Sequence, residues 1–253
     1  MGKRTDMQVG VAEVIDRAAG AFLKKDRGKA RTGRILVIII AGLFLLNTGR
    51  SPAQESDLGN WLIYFGNVRL NSDWNWHHEV QYRNYDLVGD LEQLLLRTGF
   101  GYNLTENNNN VLVGYGYIRS ENYVADTDEK TGINEHRIFQ QFITRQTYGR
   151  VTLLHRYRFE QRFLSADFKM RLRYFLLLNV PVTSPRMEDN TLYLAAYNEI
   201  FLNAESPIFD RNRVYGGAGF RFNPKVRIEV GYLVQLFEKT QRDQLNMIVF
   251  LNL

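Results

Sequence analysis

Apolar and polar residues alternate along most of the chain from about residue 61 onward, and this alternation predicts β-strands. In residues 226–237, "VRIEVGYLVQLF", one parity is wholly apolar and the other is mostly polar. The apolar parity consists of Val226, Ile228, Val230, Tyr232, Val234 and Leu236. Because successive side chains of a strand point to opposite faces, the segment is predicted to be a strand with one apolar face.

Eleven segments carry this alternation. They begin near Trp61, Trp74, Leu91, Val111, Glu135, Val151, Lys169, Thr191, Arg213, Val226 and Gln244. Most run for about ten to thirteen residues, whereas a strand of a soluble protein has about five or six and a tilted strand that crosses a bilayer has about 9–11. We therefore predict an all-β chain that forms a closed antiparallel transmembrane β-barrel, in which no strand edge is left exposed.

Residues 155–164, "HRYRFEQRFL", place charged and aromatic side chains in alternation. An arginine that faces lipid at mid-depth costs about 2–4 kcal/mol, and this segment has three. A register shift of one residue would turn every side chain to the other face, so the charged face is predicted to point into the barrel. The predicted lumen-lining residues, structural or pore-forming, are Glu79, Arg83, Arg137, Arg156, Arg158, Glu160, Arg162, Arg171, Arg173, Glu199, Arg227 and Glu229.

Two details of this arrangement remain open in the sequence. Inside the barrel, Glu160 is expected to pair with Arg137 or Arg173 from a neighbouring strand. On the outward parity, His155 and Gln161 are polar residues that do not fit a face in contact with lipid.

The connections and ends of the predicted strands also favour a membrane barrel. Short polar connections follow the first, third, fifth and ninth segments, and the longest, residues 121–134, follows the fourth. Short turns on one side and longer loops on the other are typical of outer-membrane barrels. Aromatic residues at strand beginnings are expected at the membrane interface, namely Trp61, Trp74 and Trp76. Since bacterial single-chain barrels have an even number of strands, we expect twelve, with residues 54–60 crossing back as a short strand or through the lumen; ten is the alternative.

The first 53 residues differ from the rest in charge and composition. They hold ten Lys or Arg against four Asp or Glu, which leaves 22 against 23 for the remaining 200 residues, so no basic surface for nucleic acid is indicated. The uncharged apolar run 35–46 follows Arg31 and Arg34 and is too short for a membrane-spanning helix. It predicts a signal peptide with a long basic region, cut after Ala53, or else an uncleaved anchor. The predicted domains are the leader, 1–53, and one barrel, 54–253.

Few residues offer chemistry. The chain has no cysteine, so it has neither disulfides nor thiolate metal sites. His77 and Glu79 share a face and are a weak candidate for a metal pair, and ordinary polar lining of the lumen is the better explanation of both residues. A barrel hydrolase that acts on lipid would need a serine within hydrogen-bond reach of a histidine, and Ser120, Ser165 and Ser206 lie at strand ends or in connections. Glycine-rich stretches such as "YGGAGF" precede no helix, so they indicate room for bulky neighbours rather than phosphate binding. No catalytic residue, metal or cofactor is predicted.

Several segments resemble a known family. They are "QYRNYD", "LEQLLLRTGFGYNL", "NEHRIFQQFITRQ", "HRYRFEQRF", "AYNEIF" and "FDRNRVYGG". In this order they are similar to an uncharacterised outer-membrane barrel family of Bacteroidota, the domain of unknown function 2490, over about residues 57–253. The resemblance implies a barrel in the outer membrane, and it supplies no activity and no binding residues.

We therefore expect a non-enzymatic barrel in the outer membrane of a Gram-negative bacterium. Its lumen is either a narrow pore or an occluded scaffold, and the modest bore of about twelve strands favours occlusion. A barrel-embedded hydrolase acting on lipid and a soluble periplasmic barrel that binds a ligand are the alternatives. The expected partners are membrane lipid, the barrel-assembly machinery acting on the C-terminal strand, and a small solute or a protein yet to be identified.

Overall fold

The computed structural model describes residues 58–253, except residues 88, 106, 107 and 126. Each of the eleven predicted segments is a strand, and the described residues contain no helix. The strands are β1 (Gly59–Arg69), β2 (Trp74–Asn84), β3 (Leu91–Thr105), β4 (Asn109–Tyr123), β5 (Lys130–Tyr148), β6 (Val151–Leu164), β7 (Asp167–Pro181), β8 (Thr191–Asn203), β9 (Phe209–Arg221), β10 (Val226–Leu236) and β11 (Gln241–Asn252). The described chain therefore has no helix long and apolar enough to span a membrane.

The strands form one closed barrel with eleven members, which corrects the expectation of twelve or ten. Neighbours in sequence pair antiparallel, and β1 pairs with β11 in parallel, from Gly59 opposite Gln244 to Asn67 opposite Asn252. In an up-and-down barrel the strand direction alternates, so an odd number of strands requires one parallel pair. Because β1 is paired on both edges, no edge remains for a twelfth strand.

Because β1 and β11 run parallel, the first residue of β1 and the last residue of β11 lie at opposite ends of the barrel. We call the end where β1 begins the N-terminal end, and the end where β11 finishes the C-terminal end. The four short connections predicted from the sequence all lie at the C-terminal end, and one of them is a two-residue turn in which Gly149 has a φ of 60°. The prediction that residues 121–134 form the longest connection is wrong. Strands β4 and β5 extend into this segment, so the connection between them comprises only residues 124–129. The longest connection is 182–190, at the C-terminal end.

The predicted leader, 1–53, with its apolar run 35–46 and its cleavage site lies outside the described residues, as do residues 54–57 of the predicted extra crossing.

Burial in this barrel is inverted relative to an ordinary soluble protein. Many large apolar side chains on the outward parity are exposed, including Phe100, Val113, Tyr157, Leu172 and Val230. Among the described residues 23 polar or charged side chains are buried, and all except Asn60 and Asn84 lie on the inward parity. Part of the outer surface is a concave apolar groove of about 640 Å³.

The lumen also contains an apolar cluster that fills one sector of the barrel, across β1 and β8–β11. It consists of Trp61, Ile63, Tyr193, Ala195, Tyr215, Leu233 and Ile248. The glycines of "YGGAGF" make room for it: the Tyr193 ring lies over Gly219 and the Tyr215 ring over Gly217. A side chain at either glycine would collide with the ring, which is the structural use that alternating glycines indicate.

Candidate functional site: the charged lumen

All twelve residues predicted to line the lumen lie on the inward parity of their strands. Nine of them are buried: Glu79, Arg83, Arg137, Arg158, Glu160, Arg171, Arg173, Glu199 and Glu229. Arg156, Arg162 and Arg227 are partly buried. Because side chains two residues apart on a strand share a face, neighbouring strands such as β6 and β7 bring opposite charges within reach of one another inside the barrel.

Glu160 is the centre of this arrangement, and its side chain has no exposed surface. Its Oε2 accepts hydrogen bonds from Nε and Nη2 of Arg171 at 3.1 and 2.6 Å, and its Oε1 accepts one from Nη1 of Arg173 at 2.6 Å. Arg158 and Arg137 approach within 3.7 and 3.9 Å. Of the two partners expected from the sequence, Arg173 therefore makes the close pair and Arg137 a distant one. One carboxylate is shared among four guanidinium groups.

Three further carboxylates organise the surrounding arginines. Glu199 accepts hydrogen bonds from Arg156 at 2.8 Å and from Arg173 at 2.6 Å. Glu135 is shared by Arg162, at 2.6 Å, and Arg137, and Glu79 pairs with Arg97. Glu79 therefore joins β2 to β3, and Glu135, Glu160 and Glu199 join the four consecutive strands β5, β6, β7 and β8 through side chains.

Several arginines of the lumen also stack on aromatic rings of the inward parity. The guanidinium carbons of Arg83 and Arg213 lie 3.8 and 4.8 Å from the centre of the Trp61 ring. Arg158 lies 4.5 Å from Phe139. Such cation–π contacts stabilise a desolvated cation by about 2 kcal/mol or more. Trp61, 2% exposed, therefore lies inside the barrel, and its predicted position at a membrane interface is wrong; Trp74 and Trp76 do point outward.

A polar cavity of about 180 Å³ lies among these charges, toward the N-terminal end of the barrel. We call it the vestibule. Eight arginines line it, and we call them the vestibule arginines: Arg83, Arg97, Arg137, Arg162, Arg171, Arg173, Arg211 and Arg213. Glu135 is the one carboxylate among its described lining residues.

Side chains also connect strands along the rim at the N-terminal end. Nη1 of Arg242 donates to Glu92 at 2.6 Å, which joins β11 to β3 past the ends of β1 and β2. The ring of Tyr85, in the connection after β2, has the Arg242 guanidinium carbon at 5.0 Å and Lys130 Nζ at 5.1 Å. Burial raises the pKa of Tyr85, and Glu92 raises it further, so this phenol stays neutral beside the two cations.

At the C-terminal end, connection 182–190 folds toward the lumen. Met187 packs against the apolar cluster, and its carbonyl oxygen accepts a hydrogen bond from Nη1 of Arg221 at 2.7 Å. On the other side, Nη2 of Arg150 donates to the Ser184 carbonyl at 2.6 Å. The connection is thus held from both flanking hairpins, at the end of the barrel opposite the vestibule.

The two outward polar residues that did not fit the predicted face are both satisfied by outward neighbours. His155 Nδ1 lies 2.9 Å from the Tyr174 hydroxyl. Gln161 and Gln140 exchange amide hydrogen bonds of 3.3 and 3.4 Å. Each group is paired within the outer surface, so neither needs water.

Sequence reasoning missed several lumen residues, chiefly Arg97, Arg211 and Arg213. They lie on the inward parity of β3 and β9, two strands from which no lumen residue was selected. Extending the parity argument strand by strand from "LLLRTGFG" and "FDRNRVYGG" would have found them.

Neither metal nor serine chemistry is assembled in the part of the chain that the structure describes. His77 Nε2 lies 3.5 Å from Glu79, which is already paired with Arg97, and the described residues hold no group of three or more metal-ligating side chains. Among those residues no serine is hydrogen-bonded to a histidine; Ser120 instead accepts from Gln93 at 2.6 Å.

Comparison with known proteins identifies a family whose function is unknown. A family model described as "Protein of unknown function (DUF2490)" matches residues 58–246, from just before β1 into β11. No curated protein and no solved structure matches the chain. The match covers well over half of the sequence, so the resemblance to this family is confirmed, and the chain belongs to the DUF2490 family of proteins of unknown function.

Proposed function

We propose that this protein is an integral β-barrel of the outer membrane of a Gram-negative bacterium, without enzymatic activity, whose lumen is sealed by its own side chains. The inversion of burial carries the proposal. Apolar side chains such as Val113, 60% exposed, and Phe100, 59% exposed, cover the outward parity, while charged side chains fill the inside. In water, so large an exposed apolar surface would be an aggregation liability, and in lipid it is the stable arrangement.

The strands have the length and the aromatic distribution that a bilayer requires. They run from 11 to 19 residues, enough for the roughly 9–11 that cross the bilayer. Outward aromatic pairs lie at both ends: Trp74 with Tyr102 at the C-terminal end, with ring centres 5.1 Å apart, and Phe163 with Phe168 at the N-terminal end, also 5.1 Å apart. Two such belts match the two membrane–water interfaces.

A sealed lumen is supported by the contents of the barrel. The apolar cluster, the shared carboxylates and Met187 occupy the interior of the barrel from the C-terminal end toward the vestibule. Open porins of 16–18 strands have a much wider bore than eleven strands allow. The same contents argue against a soluble ligand-binding barrel, which would carry apolar residues inside and polar residues outside.

Four of the five connections at the C-terminal end have two to four residues, whereas three of the five at the N-terminal end have five or six, and this difference favours a periplasmic C-terminal end. The vestibule then opens toward the cell exterior. In this orientation the outward apolar row of β11, which includes Met247 and Val249, is available to the barrel-assembly machinery during insertion.

Two measurements on the purified, refolded protein test the proposal. Folded barrel should migrate differently from heated barrel on a gel and should float with liposomes; protein that stays in the aqueous fraction would refute the membrane assignment. In planar bilayers, inserted protein should be electrically silent, and steady current steps would refute the sealed lumen.

A matched pair of variants sharpens the second measurement. The double change Tyr193→Ala and Tyr215→Ala removes two rings from the apolar cluster and should introduce current steps. Tyr157→Ala removes an outward ring, 49% exposed, and should leave the barrel silent. Gel migration verifies that each variant is folded before its conductance is compared.

A further inference from the structure

We propose that the vestibule is a binding site for a small oxyanion of the phosphate or pyrophosphate type, which enters from the N-terminal end of the barrel. The proposal rests on the interior of the barrel alone, so it holds whether the outer surface meets lipid or water.

The first argument is the charge balance around the cavity. Seven of the eight vestibule arginines make ion pairs, and among the described residues their partners are five carboxylates: Glu79, Glu135, Glu160, Glu199 and Asp210. Eight against five leaves an excess of three positive charges. Arg156 and Arg158 draw on two of the same carboxylates, so the excess is larger still. Arginine does not lose its proton in proteins, and uncompensated buried charge is costly, so an anion in the cavity would be strongly favoured.

The second argument is the position of one arginine. Arg83 is buried and lines the vestibule, yet among the described residues no carboxylate forms an ion pair with it. Its Nε donates to the Gln81 side chain at 3.1 Å, its Nη1 donates to Gln93 at 2.8 Å, and its plane lies on the Trp61 ring. Neutral amides and an aromatic ring hold this guanidinium in place and leave its charge for a ligand.

The third argument is the match between the cavity and the ligand. A cavity of about 180 Å³ compares with about 150 Å³ for a cavity that holds benzene, so it suits one or two phosphate groups and excludes a nucleotide. The planar fork of arginine binds phosphate oxygens in pairs. Since the apolar cluster and Met187 block the other side, a bound anion has one way in and out, which describes a receptor rather than a channel.

The test is isothermal titration calorimetry of the refolded protein with pyrophosphate and, separately, inorganic phosphate. Pyrophosphate should bind saturably with one site per barrel. Arg83→Gln should weaken binding by at least about tenfold, because a hydrogen bond to a charged group is lost. Arg211→Gln is a second variant with a more exposed side chain, and it should weaken binding in the same direction.

Arg227→Gln is the matched control. It removes the same charge from the lumen, but Arg227 lies on the Phe250 ring at 3.7 Å near the C-terminal end and does not line the vestibule. The affinity of the Arg227→Gln variant for pyrophosphate should equal that of the unchanged protein. Absence of saturable binding by either anion would overturn the proposal. Equal losses in Arg83→Gln and Arg227→Gln, with both variants folded by gel migration, would also overturn it, since they would indicate general charge attraction rather than a site.

Discussion

Replacing Glu160 by glutamine tests whether the shared carboxylate holds the lumen together. The change keeps the shape of the side chain, removes its charge, and turns an amide N–H group toward guanidinium donors. Arg171 would keep Asp210 at 2.8 Å, and Arg173 would keep Glu199 at 2.6 Å. Removing one partner of a buried ion pair costs about 3–5 kcal/mol. Because both close partners retain a second carboxylate, we expect a loss near the lower limit, about 3 kcal/mol of unfolding free energy.

The assay is reversible urea unfolding of the protein in detergent micelles, followed by tryptophan fluorescence and analysed by linear extrapolation. Asp167→Asn is the matched control, because Asp167 and its partner Lys169 form an exposed pair on β7. The control should unfold at the urea concentration of the unchanged protein. If Glu160→Gln unfolds with the control, the shared carboxylate contributes no net stability and the reasoning about the lumen is refuted.

Three further changes probe the outer surface and the packing inside. Val230 lies on the outward face near the middle of β10 and is 48% exposed, so Val230→Arg should lower the stability of the barrel in a bilayer by about 2–4 kcal/mol. The yield of refolding into liposomes measures this loss, with Val230→Leu as the control, and equal yields would contradict a lipid-facing position. Gln161→Leu should lower the free energy of unfolding by about 1 kcal/mol because it leaves the Gln140 amide unpaired, and adding Gln140→Leu should restore that free energy. A double variant no more stable than the single variant would argue against the amide pair. Gly217→Ala should reduce the yield of folded barrel on gels, since the new methyl carbon would lie 2.7 Å from the Val230 carbonyl oxygen, whereas a normal yield would show that β9 and β10 can separate there.

Most of the architecture could be predicted because one physical rule applies to every strand. Side chains alternate between two faces, and when the faces differ in polarity, the alternation reveals both the strand and its orientation. In β6 and β10 the two faces differ sharply, and there the inward residues, such as Arg158 and Glu229, follow directly from the sequence. The vestibule was harder to predict, because a cavity depends on which strands face each other across the lumen, and alternation within one strand carries no information about that.

The seam between β1 and β11 shows where the rule fails. Both faces of β1 are apolar: Leu62 points outward, while Trp61, Ile63 and Phe65 point inward, so polarity alone does not orient this strand. Its position is set by its partner, since Ile63 lies opposite Ile248, and the rings of Phe65 and Phe250 stack at 5.3 Å.

These inward apolar residues complete the cluster that contains Tyr193 and Tyr215. The expectation of twelve strands came from the even strand number of bacterial single-chain barrels, in which every strand can pair antiparallel. A parallel pair has evenly spaced, slanted hydrogen bonds and is only slightly less stable per residue than an antiparallel one. Burying the inner face of β1 against β11 outweighs that small difference, and the barrel therefore closes at eleven.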